Sequence, residues 1–301
     1  MRSALSEGSR KSYRRAWSVF STFHERFYGV PTPELPLKAD VLALFISYLS
    51  AKKLACSTIT SYLSAIGYLH KLKGFTDPTK TFLIHKLLTA LNRQRTFDVR
   101  LPITLPLLHE LVRALGHTNS SAYQRKLYSA MFLSAFYGFF RVGELAARSL
   151  NVGISVVQYS SLSFLMSDGK PHSAKIVITD FKHNTQHRPF DVLIECEVSQ
   201  PFCPVTTLLQ YCQLRGSQAG PLFCHHDQRP VTVFEFTTEL QRCLIFCGLD
   251  TGRYKSHSFR IGAACHAADN GLSDAHIRAL GRWKSDAFKI YIRPQSVHAN
   301  E

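Results

Sequence analysis

Apolar residues recur at a helical period through most of the first 95 positions. Tyr13, Trp17, Phe20, His24 and Phe27 fall three or four apart, which lines one face of an α-helix, and Pro31, Pro33 and Pro36 interrupt the pattern. A second run carries Val41, Leu42, Phe45, Tyr48 and Leu49. In a third, Ser57 or Thr58 is placed to cap a helix whose apolar face is Ile59, Tyr62, Leu63, Ile66 and Leu69. Gly74 to Pro78 reads as a turn, and Leu83, Ile84, Leu87, Leu88 and Leu91 form a fourth helical face. Asn92 to Arg100 holds Arg93, Arg95 and Arg100 with little apolar content and reads as a basic linker.

Helical patterning resumes at Thr104-Leu105-Pro106, where Thr104 suits an N-cap and Pro106 the first turn. Leu127 to Phe140 is apolar nearly all round, the mark of a helix enclosed in a domain centre. Between about 155 and 195 the pattern changes to short strands, Ser161 to Met166, Ala174 to Thr179 and Arg188 to Glu195. They are separated by the turn Ser167-Asp168-Gly169-Lys170-Pro171 and by the segment Lys182 to His187. Helical signals return from Pro204 to the end. The expected fold is mainly α with a small antiparallel sheet: an N-terminal helical bundle over 1–95, a linker over 96–103, and a mixed α+β domain over 104–301.

Charge narrows the function. The 301 residues contain 36 Lys plus Arg against 21 Asp plus Glu, a formal net charge of +15. Apolar residues make up 45%, enough for real cores and against disorder. Such a balance implies a polyanionic partner, nucleic acid first and an anionic membrane surface second. Arg10, Lys11, Arg14, Arg15, Lys52, Lys53, Arg93 and Arg95 are the candidate phosphate-tracking residues of the N-terminal block. The stretch 127–140 is too short to span a bilayer, and the polar start shows no apolar leader, so a soluble intracellular protein is expected. Eight cysteines show no zinc-knuckle spacing and read as buried or idle thiols of a reducing compartment. No metal site, Walker loop or dinucleotide glycine fingerprint is found, so no cofactor is expected.

Four places break otherwise apolar patterns with reactive or charged residues: Gly138-Phe139-Phe140-Arg141-Val142-Gly143-Glu144-Leu145; Lys182 in the loop after a strand; His257-Ser258-Phe259-Arg260; and Leu280-Gly281-Arg282-Trp283, followed by Tyr291. Taken singly, each has an ordinary reading. Arg141 would be a cation at a helix end with Glu144 as its surface partner, Lys182 a turn lysine, His257 a helix-start residue and Tyr291 a packed aromatic.

Taken together and in this order, Arg141, Lys182, His257-x-x-Arg260 and Tyr291 resemble the tyrosine recombinases (phage-type integrases). The Gly-x-x-Arg-x-x-Glu-Leu surroundings of Arg141, the Leu-Gly pair ahead of the tyrosine and Cys203-Pro204-Val205 opening a helix are similar too. So is the N-terminal helical bundle, which resembles the core-binding domain of that family. Lys182-His183-Asn184-Thr185-Gln186 and Gly281-Arg282-Trp283-Lys284-Ser285-Asp286-Ala287-Phe288 look most like recombinases of DIRS-like retrotransposons and Cryptons.

The resemblance implies a site-specific DNA recombinase acting on double-stranded DNA, with the two blocks forming a C-shaped clamp and four copies assembling on DNA. Tyr291 would attack the scissile phosphate, leaving a 3′-phosphotyrosyl bond and a free 5′-hydroxyl, with no ATP needed because the bond energy is retained for rejoining. Arg141 and Arg260 would present planar forks to the non-bridging oxygens, His257 would assist proton transfer, and Lys182 would protonate the departing oxygen. Glu144 would hold Arg141 or His257 in place. Many relatives carry His or Trp directly after the Leu-Gly pair, where this chain has Arg282. Trp283 is the favoured substitute, donating its indole N–H, and Arg282 contacting phosphate itself is the alternative. Competing readings are a type IB topoisomerase, a catalytically idle DNA-binding protein of the same fold and, last, an RNA-binding protein. The nucleus is the expected location in a eukaryotic host, otherwise the cytoplasm or nucleoid.

Overall fold

A computed structural model describes residues 5–31, 33–93, 100–150, 155–181, 184 and 186–292. The chain divides into two compact units, Met1–Asp98 and Val99–Glu301.

The first unit is helical. Helix α1 (Glu7–Tyr28) starts where Ser6 accepts the Ser9 N–H and stops at Gly29, whose φ of 71° turns the chain left-handed. The stop therefore comes from glycine, ahead of the prolines, because that conformation carries no Cβ penalty. Helix α2 (Ala39–Ala51) follows, then α3 (Cys56–Leu72), a 3-10 turn at Pro78–Lys80 and α4 (Phe82–Arg93). Helix α3 begins earlier than the hydroxyl signal implied. The Ala55 carbonyl accepts from Thr58 and Ile59, so Ser57 and Thr58 lie inside the first turn and cap nothing.

The core of this unit is built around Phe20, Phe23 and Phe45, all fully enclosed, with Phe45 4.9 Å and 5.0 Å from the other two ring centres. Each such ring contributes on the order of 2 kcal/mol by leaving water. On the outer face, Lys11, Arg14 and Arg15 are exposed on α1 and Arg10 is partly covered. Lys52 and Lys53 stand exposed after α2, and Arg93 is exposed at the end of α4. Arg95 lies outside the described residues.

The second unit wraps one buried helix. Thr104 caps α5 (Leu105–Thr118) through the Leu107 N–H, with Pro106 in the first turn. Helix α6 (Ala122–Tyr137) has every residue from Leu127 to Phe136 buried, as its all-round apolar pattern requires. A one-turn α7 (Val142–Leu145) leads to strands β1 (Leu162–Ser167), β2 (Lys170–Ile178) and β3 (Phe190–Glu195), paired antiparallel in that order. Asp168 and Gly169 take φ of 50° and 73°, so both central turn residues are left-handed and match the strand twist. Ala174, Ile176 and Ile178 of β2 and Val192 and Ile194 of β3 face the core. Cys203 and Pro204 open α8 (Pro204–Arg215); α9 (Val233–Phe246), α10 (Ser258–Asp269), α11 (Asp274–Leu280) and a 3-10 turn at Asp286–Ile290 complete the unit.

Candidate active site

The site forms where α6 ends. After the Gly138 cap, Phe139 adopts φ of 49° and swings Phe140 back beneath the helix, leaving Arg141 at the start of α7. The side chain of Arg141 remains 23% exposed. Glu144, one turn on, is buried and turned back: one carboxylate oxygen accepts Arg141 Nη1 at 3.0 Å and the other accepts the Arg141 backbone N–H at 3.0 Å.

Helix α10 supplies the second group. It is held by backbone bonds from Ile103 N–H to the Ser258 carbonyl (3.0 Å) and from Leu101 N–H to the Arg253 carbonyl (2.9 Å). His257 is its N-cap, half-buried, and Arg260 one turn later is fully buried. The guanidinium of Arg260 donates to the Phe139 carbonyl at 2.5 Å and to the Gly281 carbonyl, and it lies 4.2 Å from the Trp283 ring centre. Burial first, then the neighbouring Arg141 and Arg282, pull its pKa down to about 9, so it stays cationic at neutral pH. His257 is pushed down to about 4, by burial above all and then by Arg260, Arg100 and Arg141. It is therefore a neutral imidazole at pH 7, with an unprotonated ring nitrogen able to accept a hydrogen bond.

The third group comes from the chain after α11. Gly281 leaves room for the Trp283 ring, which a Cβ there would strike. Trp283 sits with its ring centre 5.6 Å from Phe288 and 6.2 Å from Tyr291. Tyr291 follows the last 3-10 turn, half-buried, its ring 5.3 Å from that of His257. Its backbone carbonyl accepts from the Cys265 thiol at 2.9 Å, which ties the tyrosine to α10.

The fold thus brings together Arg141, Glu144, His257, Arg260, Arg282, Trp283 and Tyr291 from segments up to 150 residues apart in sequence. Lys182 lies outside the described residues, though the base of its loop is closed by Asn184 Nδ2, which donates to the carbonyls of Thr179 and Arg188. Two placements differ from expectation. Arg260 spends both Nη groups on carbonyls, so Arg141 is the arginine of the pair that faces solvent. Arg282 is not at the surface: its side chain is 1% exposed and bonded to Glu144. The carbonyl of Phe139, which receives both Arg260 and Arg282, carried no sequence signal, because a phenylalanine in the left-handed region cannot be read from periodicity.

Three guanidiniums surround one carboxylate and a neutral imidazole, which leaves about two positive charges beside a phenol. That arrangement can hold a phosphodiester and present a hydroxyl to it. A curated "Integrase/recombinase xerD homolog" from Selenomonas ruminantium is 24% identical over 292 residues, covering 92% of this chain and 78% of that protein. No protein-family profile matches. Among solved structures, the XerH site-specific recombinase bound to palindromic difH substrate aligns over 93% of this chain and 75% of that one, with TM-score 0.66 and 14% identity. A lambda integrase dimer bound to a COC′ core site covers 99% and 75%, with TM-score 0.63 and 15% identity. The Tn1549 transposon integrase in complex with transposon right end DNA covers 100% and 91%, with TM-score 0.65 and 13% identity. The chain shares its fold with these recombinase and integrase structures and 24% of its aligned sequence with the xerD homolog.

Proposed function

We propose that the chain is a site-specific DNA recombinase that breaks and rejoins strands through Tyr291. The observation that carries this reading is the meeting of Tyr291 with His257 and Trp283 beside Arg141 and Arg260. Tyr291 Oη attacks the scissile phosphorus, its proton passes toward neutral His257, and the 5′-oxygen leaves with a proton that Lys182 is placed in sequence to give. Arg141, the exposed guanidinium, contacts the non-bridging oxygens directly. Arg260 lends positive charge from beneath, in a low-dielectric setting where it is felt strongly. The basic residues of α1 and those following α2 and α4 bind the DNA backbone of the same duplex. No described helix is long and apolar enough to cross a membrane.

The segments around Lys182 and Trp283 favour a mobile-element recombinase of the DIRS-like or Crypton kind, and hence a nuclear setting. The transposon integrase among the structural relatives agrees with a mobile-element role. Recombination joins two duplexes cut at four strands, which calls for four copies on DNA. The domain limits 1–95, 96–103 and 104–301 belong to this reading.

A second reading, a DNA-binding protein of this fold without catalysis, is favoured by one observation: the Nη groups of Arg260 are bonded to backbone rather than turned outward. Covalent trapping separates the two. The protein is incubated with nicked suicide duplexes from a randomised pool, denatured and examined for a phosphotyrosyl adduct. Recombinase activity predicts an adduct that disappears in Tyr291→Phe and falls on the order of 100- to 1000-fold in Arg260→Ala. Salt-sensitive binding with no adduct would leave the non-catalytic reading.

A further inference from the structure

Arg282 occupies a place where the resemblance calls for His or Trp, and the structure turns it inward. Its backbone is left-handed, with φ of 54°, a conformation that costs a bulky residue roughly 1 kcal/mol or more and persists only when its surroundings fix it. Those surroundings are specific. Nη2 donates to Glu144 Oε2 at 2.9 Å and to the Phe139 carbonyl at 3.1 Å, and Nη1 donates to the Gly138 carbonyl at 3.3 Å. The guanidinium carbon lies 5.3, 5.7 and 5.9 Å from the ring centres of Phe140, Phe190 and Phe181. Phe140 precedes Arg141, while Phe181 and Phe190 bracket the loop that carries Lys182.

Its partner Glu144 also holds Arg141, so one carboxylate is shared by two guanidiniums. The sharing matters electrostatically. A Glu144 that served Arg141 alone would neutralise it and weaken its pull on a phosphate. Arg282 takes up part of that negative charge from the buried side. With 1% of its side chain exposed, it does not reach substrate.

We infer that Arg282 is a positioning residue: by occupying the inner side of Glu144 it leaves the charge of Arg141 less cancelled and its guanidinium aimed outward, while its aromatic cage packs Phe181 and Phe190 against the segment that leads to Tyr291. The inference rests on the recombinase reading, since the charge it conserves is charge for a phosphate. Trp283 is left as the ring that packs between Arg260 and Tyr291.

The test compares Arg282→Met, Arg282→Lys, Glu144→Gln and the double variant Arg282→Met/Glu144→Gln by single-turnover cleavage of a suicide duplex, with DNA affinity and melting temperature measured beside it. Arg282→Met should cleave on the order of 10- to 100-fold more slowly with DNA affinity within about twofold, because Glu144 then pairs with Arg141 alone. Arg282→Lys should recover part of the rate, since an ammonium restores the ion pair but not the fork. The double variant should cleave faster than Arg282→Met, because the carboxylate that over-neutralises Arg141 is gone. A residue that merely supports the fold predicts the reverse, with the double variant no better than the single. The inference is overturned if Arg282→Met cleaves as wild type does, or if adding Glu144→Gln gives no recovery. Should Arg282→Met fail to fold, Arg282→Lys with and without Glu144→Gln decides by the same comparison. A second readout needs no catalysis: phenylglyoxal modification of Arg141, followed by mass spectrometry, should slow in Arg282→Met and speed up again in the double variant, whereas equal rates in all variants would overturn the inference. A wild type that forms no adduct would instead count against the recombinase reading itself, and the modification rates would still show whether Arg282 acts on Arg141.

Discussion

Replacing Gly262 by alanine sets two effects of opposite sign against each other. Gly262 lies inside α10, between Arg260 and the helix end, and helix propensity alone predicts that alanine stabilises by about 1 kcal/mol. Geometry predicts the opposite. A Cβ at this position would run into the Ile103 carbonyl, with the carbonyl carbon 2.7 Å and the Ile103 nitrogen 3.2 Å away. The obstacle is backbone, and Ile103 is itself fixed by donating its N–H to the Ser258 carbonyl at 3.0 Å, so neither side can give way by rotating a side chain. Overpacking of this kind costs roughly 1–3 kcal/mol, and a rigid backbone neighbour places it toward the upper end. After the propensity gain is subtracted, the net loss is about 1–2 kcal/mol, or a melting temperature lower by roughly 2–8 °C in a body of this size. The displaced helix carries His257 and Arg260, so cleavage should fall about 100-fold, the usual consequence of moving a catalytic group by about 1 Å. Differential scanning calorimetry and single-turnover cleavage measure the two effects. An alanine variant as stable as wild type, or more so, would refute the claim that this close approach positions α10.

The pH dependence of the reaction should show His257 at work. Because its folded pKa is lowered from 6.5 to about 4, protonation opposes the folded state: its contribution to stability is complete above pH 6.5 and is lost as pH falls toward 4. The second-order cleavage rate, which reports groups of the free protein, should stay flat down to about pH 5, and a break near pH 6.5 would contradict the burial argument. A separate expectation concerns Cys196 and Cys203, whose sulfurs lie 3.1 Å apart between the end of β3 and the start of α8. Oxidised glutathione should convert them to a disulfide, the two thiols losing two electrons and two protons as one glutathione disulfide becomes two thiols. Intact mass should fall by about 2 Da with Cys203→Ser unchanged, and retention of both free thiols would count against it.

How much of this was legible in the sequence follows from the range over which each signal acts. The four N-terminal helical faces, the Thr104 cap, the enclosed body of α6 and the hairpin turn at Asp168-Gly169 are fixed by neighbours within a turn or two, and periodicity reports such neighbours directly; the apolar run continues to Phe140, past the helix end at Tyr137. The start of α3 escaped because a backbone carbonyl can open a helix without a hydroxyl. Arg282 escaped for a different reason. Its carboxylate partner stands 138 residues earlier, and a polar residue in a turn gives no local sign that it will be buried.

The same distance argument explains why the site can keep a positive balance inside a packed domain. A buried cation normally demands a carboxylate, yet Arg141 and Arg282 share Glu144, and Arg260 bonds to backbone carbonyls instead. The remaining compensation comes from the end of α6. Its closing turn uses the Ser134, Ala135 and Phe136 carbonyls for the N–H groups of Gly138, Phe140 and Phe139, so the carbonyls of Gly138 and Phe139 are the ones at the negative end of the helix dipole that reach the arginines. The left-handed turn at Phe139 aims the carbonyls of Gly138 and Phe139 at Arg282 and Arg260 rather than at solvent. Partial charges of this kind satisfy the hydrogen-bonding needs of guanidiniums without cancelling their full charge. A second carboxylate in their place would stabilise the empty site more strongly and leave less attraction for a phosphate. The apolar run before Arg141 therefore has an electrostatic role as well as a packing one: it builds a buried helix whose terminus holds cations in place while leaving them cationic.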